Sequence, residues 1–398
     1  AGPSLDARER FEVLKGGLRQ VDRPFDQQTS PGEVPTMQKR WKLLALVFAI
    51  VLVAAAGGDD SDDEDAGEDA TAEEADGDAT DEETDDDAEA TDADEDDTED
   101  EVALGQGRDG LYCVATHEAP GDSSFWSVVQ RGAEAAGSDL GVEVRVAGDI
   151  DVTAQADIVR NCIADGAVGI AASLANPEGM TDVLAEAVEA GIPVVTLNSG
   201  AAVFRDLGAI THVGQSEDVA GAGAGERFND AGVSGKVLCV VHEDANIGLE
   251  ERCDGLESTY GGEIERFNVA STGTGDIPGT QSTIVDKLTD DTDVVGILTL
   301  NPDIAIAARD AVAEAGVEPT LATFDLSPDV LSAIDAGEIL FAIDQQQYLQ
   351  GYLPIVFMAL FNENLNTVGG GNPVLTGPGF VTQATAPAVA ALSDAGTR

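Results

Sequence analysis

The sequence predicts an α/β protein made of two doubly wound parallel-sheet lobes. After Gly107, short runs rich in Val and Ile alternate with helical patterns. Strands separated by helices form parallel sheets with right-handed crossovers and helices on both faces. The same alternation then occurs a second time over a similar length, so two such units face each other across a cleft. Several runs also stop abruptly at polar residues, and ligands of open parallel sheets bind beyond the carboxyl ends of the strands.

In chain order, the first unit has strands at 111–116, 142–147, 168–172, 193–197 and 210–213, with helices at 125–140, 154–164 and 177–189. Strands at 237–241, 264–268, 294–298, 321–324 and 339–343 make up the second, with helices at 247–260, 282–289, 304–315 and 328–336. The last strand lies in 338–354, EILFAIDQQQYLQGYLP, where an apolar run gives way to Asp344, Gln345, Gln346 and Gln347. Tyr348, Tyr352, Pro354 and Phe357 continue as a helix with an aromatic and apolar face. A solvated loop is the other way to read that stretch.

A chain of 398 residues has room for two domains once its ends are set aside. Its formal net charge is -56, with 20 Lys and Arg in all, whereas a nucleic-acid phosphate backbone needs basic residues. Nucleic acid is therefore not an expected partner. Residues 59–101 hold 27 Asp or Glu in 43 positions and no Lys or Arg. Such a run repels itself and cannot collapse, so 59–108 is expected to be an acidic disordered tether. Residues 102–398 still carry 43 acids against 12 bases, which suggests high external salt. Upstream, Lys39, Arg40 and Lys42 precede a 14-residue apolar run at 43–56, the pattern of a signal peptide; a retained membrane anchor is the alternative for 37–58. Ala54, Ala55 and Ala56 suit cleavage near Gly57. Met37 directly precedes the basic residues, so 1–36 read as an upstream extension.

Several stretches together carry a resemblance. They are the pair Phe125-Trp126, AGIPVVTLNSG at 190–200, HVGQSEDVAGAGAG at 212–225, RCDG at 252–255, Asn301, Phe324-Asp325 and DQQQYLQGY at 344–352. In this order and spacing, residues 109 to about 390 resemble a periplasmic sugar-binding protein of an ABC transporter, of the ribose-binding type. Related ligand domains occur in lactose-repressor-type regulators, which carry an N-terminal helix-turn-helix where this chain has a signal and a tether. The resemblance implies the type I periplasmic binding protein fold, with a multi-crossing hinge near Gln215, Gln345 and Leu375. Its N-terminal lobe would be 109–215 with 346–374, and its C-terminal lobe 216–345 with 375–392. The family usually has Asp then Arg where this chain has Asn198 and Ser199, which points away from ribose itself. The place of a lipoprotein's lipidated Cys holds Gly57.

A sugar offers a ring of hydroxyls above faces of C–H groups, so its site needs polar side chains at the rim and an aromatic ring on the face. The resemblance places Phe125 and Trp126 at an aromatic clamp; core packing is their alternative. Asn198, Asn301, Asp325 and Gln345 each follow a strand. Asn198 also reads as a turn residue, and Asn301 and Asp325 as helix caps. Arg252 and Asn246 are the remaining candidates, a surface pair with Glu250 or Glu251 being the alternative for the arginine. His117, Glu118 and His242 lie just past strand ends, and three scattered histidines give no metal spacing.

Cys113, Cys162, Cys239 and Cys253 make an even count in an exported chain, which favours two disulfides out of three possible pairings. Pairing within lobes, Cys113 to Cys162 and Cys239 to Cys253, leaves the cleft free to close; reduced buried thiols are the alternative. The expected function is an extracytoplasmic receptor, periplasmic or cell-surface, that closes around a monosaccharide or cyclitol and delivers it to an ABC importer through its membrane permease. It is expected to be a monomer with no cofactor. A ligand sensor for a chemoreceptor or kinase is the alternative within that fold. An enzyme would need Asp325 with Glu118 or His242 as an acid/base pair, and the chain shows no nucleophile elbow, phosphate loop or metal spacing.

Overall fold

The computed structural model describes residues 107–271 and 273–398. The expectations for the extension 1–36, the signal or anchor 37–58 and the tether up to residue 106 lie outside the described residues. Among the described residues no helix is long and apolar enough to cross a membrane.

The first lobe is a six-stranded parallel sheet. Strands β1 (Leu111–Thr116), β2 (Glu143–Gly148), β3 (Gly169–Ser173), β4 (Val194–Leu197), β5 (Thr211–Gly214) and β11 (Val374–Leu375) lie in the order β11-β5-β4-β3-β1-β2. Helices α1 (Ser124–Leu140), α2 (Val152–Ala164) and α3 (Pro177–Glu189) connect them. The second lobe repeats this plan with β6 (Lys236–Val241), β7 (Glu263–Asn268), β8 (Val294–Thr299), β9 (Thr320–Phe324), β10 (Phe341–Asp344) and β12 (Gly379–Thr382), ordered β12-β10-β9-β8-β6-β7. There β12 runs antiparallel to β10. Helices α4 (Glu217–Asp230), α5 (Ile247–Thr259), α6 (Ile277–Asp290), α7 (Pro302–Ala315), α8 (Pro328–Ala336) and α10 (Ala386–Asp394) belong to this lobe, while α9 (Gln347–Asn364) returns to the first.

Local chemistry explains the pattern. β1 and β3 lie inside the first sheet and are buried nearly throughout, so they read as continuous apolar runs; β2 at the edge alternates between exposed and partly buried. Helices start where a polar side chain caps them and proline sits in the first turn: Asn176 before Pro177, Asn301 before Pro302, Ser327 before Pro328. Apolar clusters then form on both faces of each sheet.

Two differences from the sequence reading have clear causes. The strand predicted at 339–343 begins only at Phe341, because Gly337 ends α8 in a left-handed turn and the amides of Glu338 and Ile339 bond back to the Ala333 carbonyl. Leu375 pairs with Gly214, so the first sheet runs one residue past the boundary drawn at 374.

Helix α4, rich in glycine and alanine, is absent from the predicted elements because glycine weakens isolated helices. Packing forms it. A Cβ on Gly221 would collide with the Arg252 carbonyl oxygen, and one on Gly255 with that of Asp218, so α4 and α5 meet backbone to backbone. The first lobe repeats the device. A Cβ on Gly132 in α1 would meet the Tyr348 carbonyl oxygen, and one on Gly351 in α9 that of Val129. In both lobes the helix that follows the first strand is clamped to the helix that enters from the other lobe. The structure also joins Cys113 of β1 to Cys162 of α2 and Cys239 of β6 to Cys253 of α5, with Cα–Cα distances of 6.3 and 5.9 Å.

Replacing Gly351 by Val is expected to destabilise the protein by about 1–3 kcal/mol or more, although valine has the better helix propensity. Urea unfolding measures it. A gain in stability would show that the helix pair does not need this approach.

Candidate ligand-binding site

The strands of each lobe end on the edge that faces the other lobe, and the residues just past those ends converge. One cleft is lined by His117, Glu118, Phe125, Trp126, Asn198 and Ser199 from the first lobe, and by His242, Glu243, Asn246, Leu249, Arg252, Leu300, Asn301 and Asp325 from the second, with Gln345 between them. All eight candidates named from the sequence are thus brought together.

The two lobes supply equivalent positions. A His-Glu pair follows the first strand of each, His117-Glu118 after β1 and His242-Glu243 after β6. Asn198 and Asp325 follow the fourth strands, with φ of 61° and 71°. Asn and Asp tolerate that left-handed backbone better than other residues with a side chain. Gln215 and Gln345 follow β5 and β10, where the chain leaves each lobe. Both glutamines are fully buried.

The hydrogen bonds decide several of the alternatives. Asn301 does cap α7, its Oδ1 accepting from the amides of Asp303 (2.7 Å) and Ile304 (3.3 Å), and it lines the cleft as well. Asn246 likewise caps α5 and donates to Glu243 at 2.8 Å. Asp325 caps nothing; Ser327 caps α8, and Asp325 Oδ1 accepts from Gln345 Nε2 at 2.8 Å. Asn198 Nδ2 donates to Gln345 Oε1 at 3.2 Å. Phe125 and Trp126 are both buried, and Trp126 makes edge contacts with Phe125 and with His117 at 4.8 Å between ring centres. Core packing and a place on the cleft wall therefore coexist.

For Arg252 the alternative of a surface pair does not hold. Its partner is neither Glu250 nor Glu251 but buried Glu217, which takes Nε at 2.6 Å and Nη2 at 3.0 Å. Nη1 donates to the Leu300 carbonyl at 2.9 Å and stands 4.0 Å from Asp325 Oδ2, while the guanidinium lies over the Phe324 ring. Most of its donors are thus committed inside the protein. Two of the three histidines come together, His117 Nε2 and His242 Nε2 lying 3.7 and 3.4 Å from the Glu243 carboxylate, while His212 stands apart against Thr196.

Glu243, Glu217 and Ser199 were not legible as site residues. The repeated His-Glu after equivalent strands was the available signal for Glu243; Glu217 had none, because it reads as an ordinary acid in a helix's first turn.

Burial sets the charge states. It pushes the Asp325 carboxyl up to about 7, against the opposing pull of Arg252 and Gln345, and pushes Glu118 up to about 7 against its Thr274 hydrogen bond. Burial also raises Glu243, but His117, His242 and Asn246 outweigh it and hold that group at about 2. His117 is lowered by burial, with Glu243 opposing. The lobes touch around this cleft. Ser124 Oγ donates to Asp303 Oδ1 at 2.8 Å, Thr274 Oγ1 to Glu118 Oε1 at 2.5 Å, and the Ile247 amide to the Ala175 carbonyl at 3.1 Å.

Two α/β lobes, a multi-crossing hinge and a polar cleft with aromatic walls define a two-lobed binding protein. The chain belongs to the periplasmic binding protein family, whose domain model matches residues 118–361. It is 35% identical to the solved carbohydrate transporter from Acidothermus cellulolyticus in complex with myo-inositol, with a TM-score of 0.70 over 73% of this chain and 99% of that one. A xylose/arabinose-binding protein of Sulfolobus acidocaldarius is 27% identical over 53% of this chain, a match that spans 56% of that relative's length. The ribose import binding protein of Haemophilus influenzae is 25% identical over 59% of this chain and 80% of its own.

Two outcomes follow from the buried charges. Glu217→Ala leaves the Arg252 guanidinium without its main partner and is expected to cost about 3–5 kcal/mol of stability, against at most about 1 kcal/mol for Glu250→Ala on the surface; chemical denaturation of both compares them. The raised Asp325 favours the folded protein with that group neutral. Its contribution is fully present below about pH 4 and is lost as pH rises through about 7. Melting temperatures of the native and Asp325→Asn proteins should therefore diverge, the native one falling more between pH 4.5 and pH 7.5; parallel curves would contradict this.

Proposed function

We propose that the protein is an extracytoplasmic substrate-binding protein that captures a monosaccharide or cyclitol between its lobes and delivers it to an ABC importer through the permease in the membrane. The observation that carries this reading is the convergence of Phe125, Trp126, Asn198, Asn246, Arg252, Asn301, Asp325 and Gln345 from both lobes on one cleft. Carboxylates, amides and a guanidinium supply acceptors and donors for hydroxyls, and the indole and phenyl rings supply apolar surface.

Contacts from both lobes give the ligand a higher affinity for the closed arrangement, which shifts the open-closed equilibrium without any chemical step. The lobes in this reading are 109–215 with 346–375 and 216–345 with 376–392. The protein acts as a monomer and needs no cofactor. It is exported by its N-terminal segment, and the acidic run serves as its solvated tether. Membership of the periplasmic binding protein family supports export, and the carbohydrate and pentose ligands in the names of its relatives support the ligand class.

A thermal-shift screen against ribose, xylose, galactose, glucose and inositols tests the ligand class. A true ligand at 100 times its dissociation constant adds about 2.7 kcal/mol of stability. No shift with any of them would sink the proposal. Asp325→Ala should then weaken binding of the identified ligand by about 2–4 kcal/mol, read by calorimetry, because facing donors lose their acceptor in a closed cleft. Unchanged affinity with intact folding would remove Asp325 from the site.

A further inference from the structure

The cleft is short of cations. Its lining includes the carboxyls of Glu118, Glu243 and Asp325, while Arg252 is already bound twice by Glu217. The three carboxyls differ in what the protein gives them. Glu243 has Asn246 Nδ2 at 2.8 Å, His242 Nε2 at 3.4 Å and His117 Nε2 at 3.7 Å. Asp325 has Gln345 Nε2 at 2.8 Å on one oxygen and Arg252 Nη1 at 4.0 Å from the other. Glu118 is the exception. Only 6% exposed, it receives Thr274 Oγ1 on Oε1, and beside it stands the buried Ser123 hydroxyl; among the described residues neither oxygen has a charged or N–H donor.

A buried carboxylate that has only neutral hydroxyls beside it is costly, and the charged groups that face Glu118, namely Glu243 and Asp303, are both acidic and make its ionised form costlier. The missing complement is one positive donor. An ammonium supplies charge and three N–H groups on a single atom, whereas a hydroxyl supplies one neutral donor.

Resting on the reading of the cleft as a polyol site, we propose that its preferred ligand is an amino sugar or amino cyclitol, whose protonated amino group bonds Glu118 Oε2 while its hydroxyls meet Asn301, Asp325 and the hinge amides. Glu118 is then the residue that selects amine over hydroxyl. Its equivalent in the second lobe, Glu243, is already satisfied by two imidazoles and an amide and has no such need. Burial raises Glu118 to about 7, so a neutral polyol forces this carboxyl to keep or take up a proton, which an ammonium makes unnecessary.

The test is calorimetry at pH 7.5 with matched pairs: glucosamine against glucose, galactosamine against galactose, and an inosamine against myo-inositol, each in two buffers of different ionisation enthalpy. For the ring whose hydroxyl pattern fits, the amino member should bind about tenfold tighter or better. Neutral ligands should take up protons at Glu118 on binding, whereas an amino ligand should take up only the protons that complete its own ammonium. Glu118→Gln should bring the ratio of the two affinities close to one. Neutral members binding as tightly as, or tighter than, their amino partners in the native protein would overturn the proposal and leave the polyol site standing, and that comparison holds even if the variant does not fold. Binding of neither kind would overturn both.

Discussion

The side chain of Gln345 ties the hinge to the cleft. It stands at the point where β10 of the second lobe gives way to α9 of the first, and none of it is exposed. Its Nε2 donates to Asp325 in one lobe, and its Oε1 accepts from Asn198 of the other and from Gln350 at 2.8 Å. A buried amide has to satisfy all its hydrogen-bonding groups, so the orientation of Gln345 fixes both strand-end residues together. Hinge geometry and site geometry are therefore one constraint.

The surroundings reinforce it. Gln350 Nε2 also reaches Thr376 Oγ1 at 3.3 Å, and Gln346 bonds the Thr376 carbonyl, which links the second and third crossings between the lobes. Asp344, fully buried beside them, accepts from the Gln346 amide at 2.8 Å and from Arg398 Nε at 2.7 Å. Each lobe is braced internally: a glycine-tight helix pair clamps one side of the sheet, and a disulfide joins a strand of that sheet to a helix packed on it.

Charge within the cleft obeys a different logic from charge on the surface. The acidic exterior, with 43 acids against 12 bases in residues 102–398, faces water and is screened. Inside, each carboxyl is judged by the donors next to it. Glu217 has a guanidinium, Glu243 has two imidazoles and an amide, Asp325 has the hinge amide, and Glu118 has neutral hydroxyls only. Opposite outcomes result from the same residue type, about 2 for Glu243 and about 7 for Glu118, and the difference is one of neighbours alone.

Much of this was legible from the residues. Apolar runs of strand length and helical periodicity are local properties, so the order of strands and helices, the two-lobe plan and the strand-end positions of Asn198, Asn301, Asp325 and Gln345 followed from the sequence. Evenly paired cysteines within each lobe were legible for the same reason. Three things were decided only in three dimensions. Helix α4 exists because its glycines let two backbones touch, an interaction that local propensity counts against it. Arg252 is held by Glu217, 35 residues away, instead of its neighbours Glu250 and Glu251, because α4 and α5 pack so closely. Finally, whether a buried carboxyl is satisfied or left with neutral hydroxyls only depends on side chains from opposite lobes, and no pattern along one chain segment records who faces whom across a cleft.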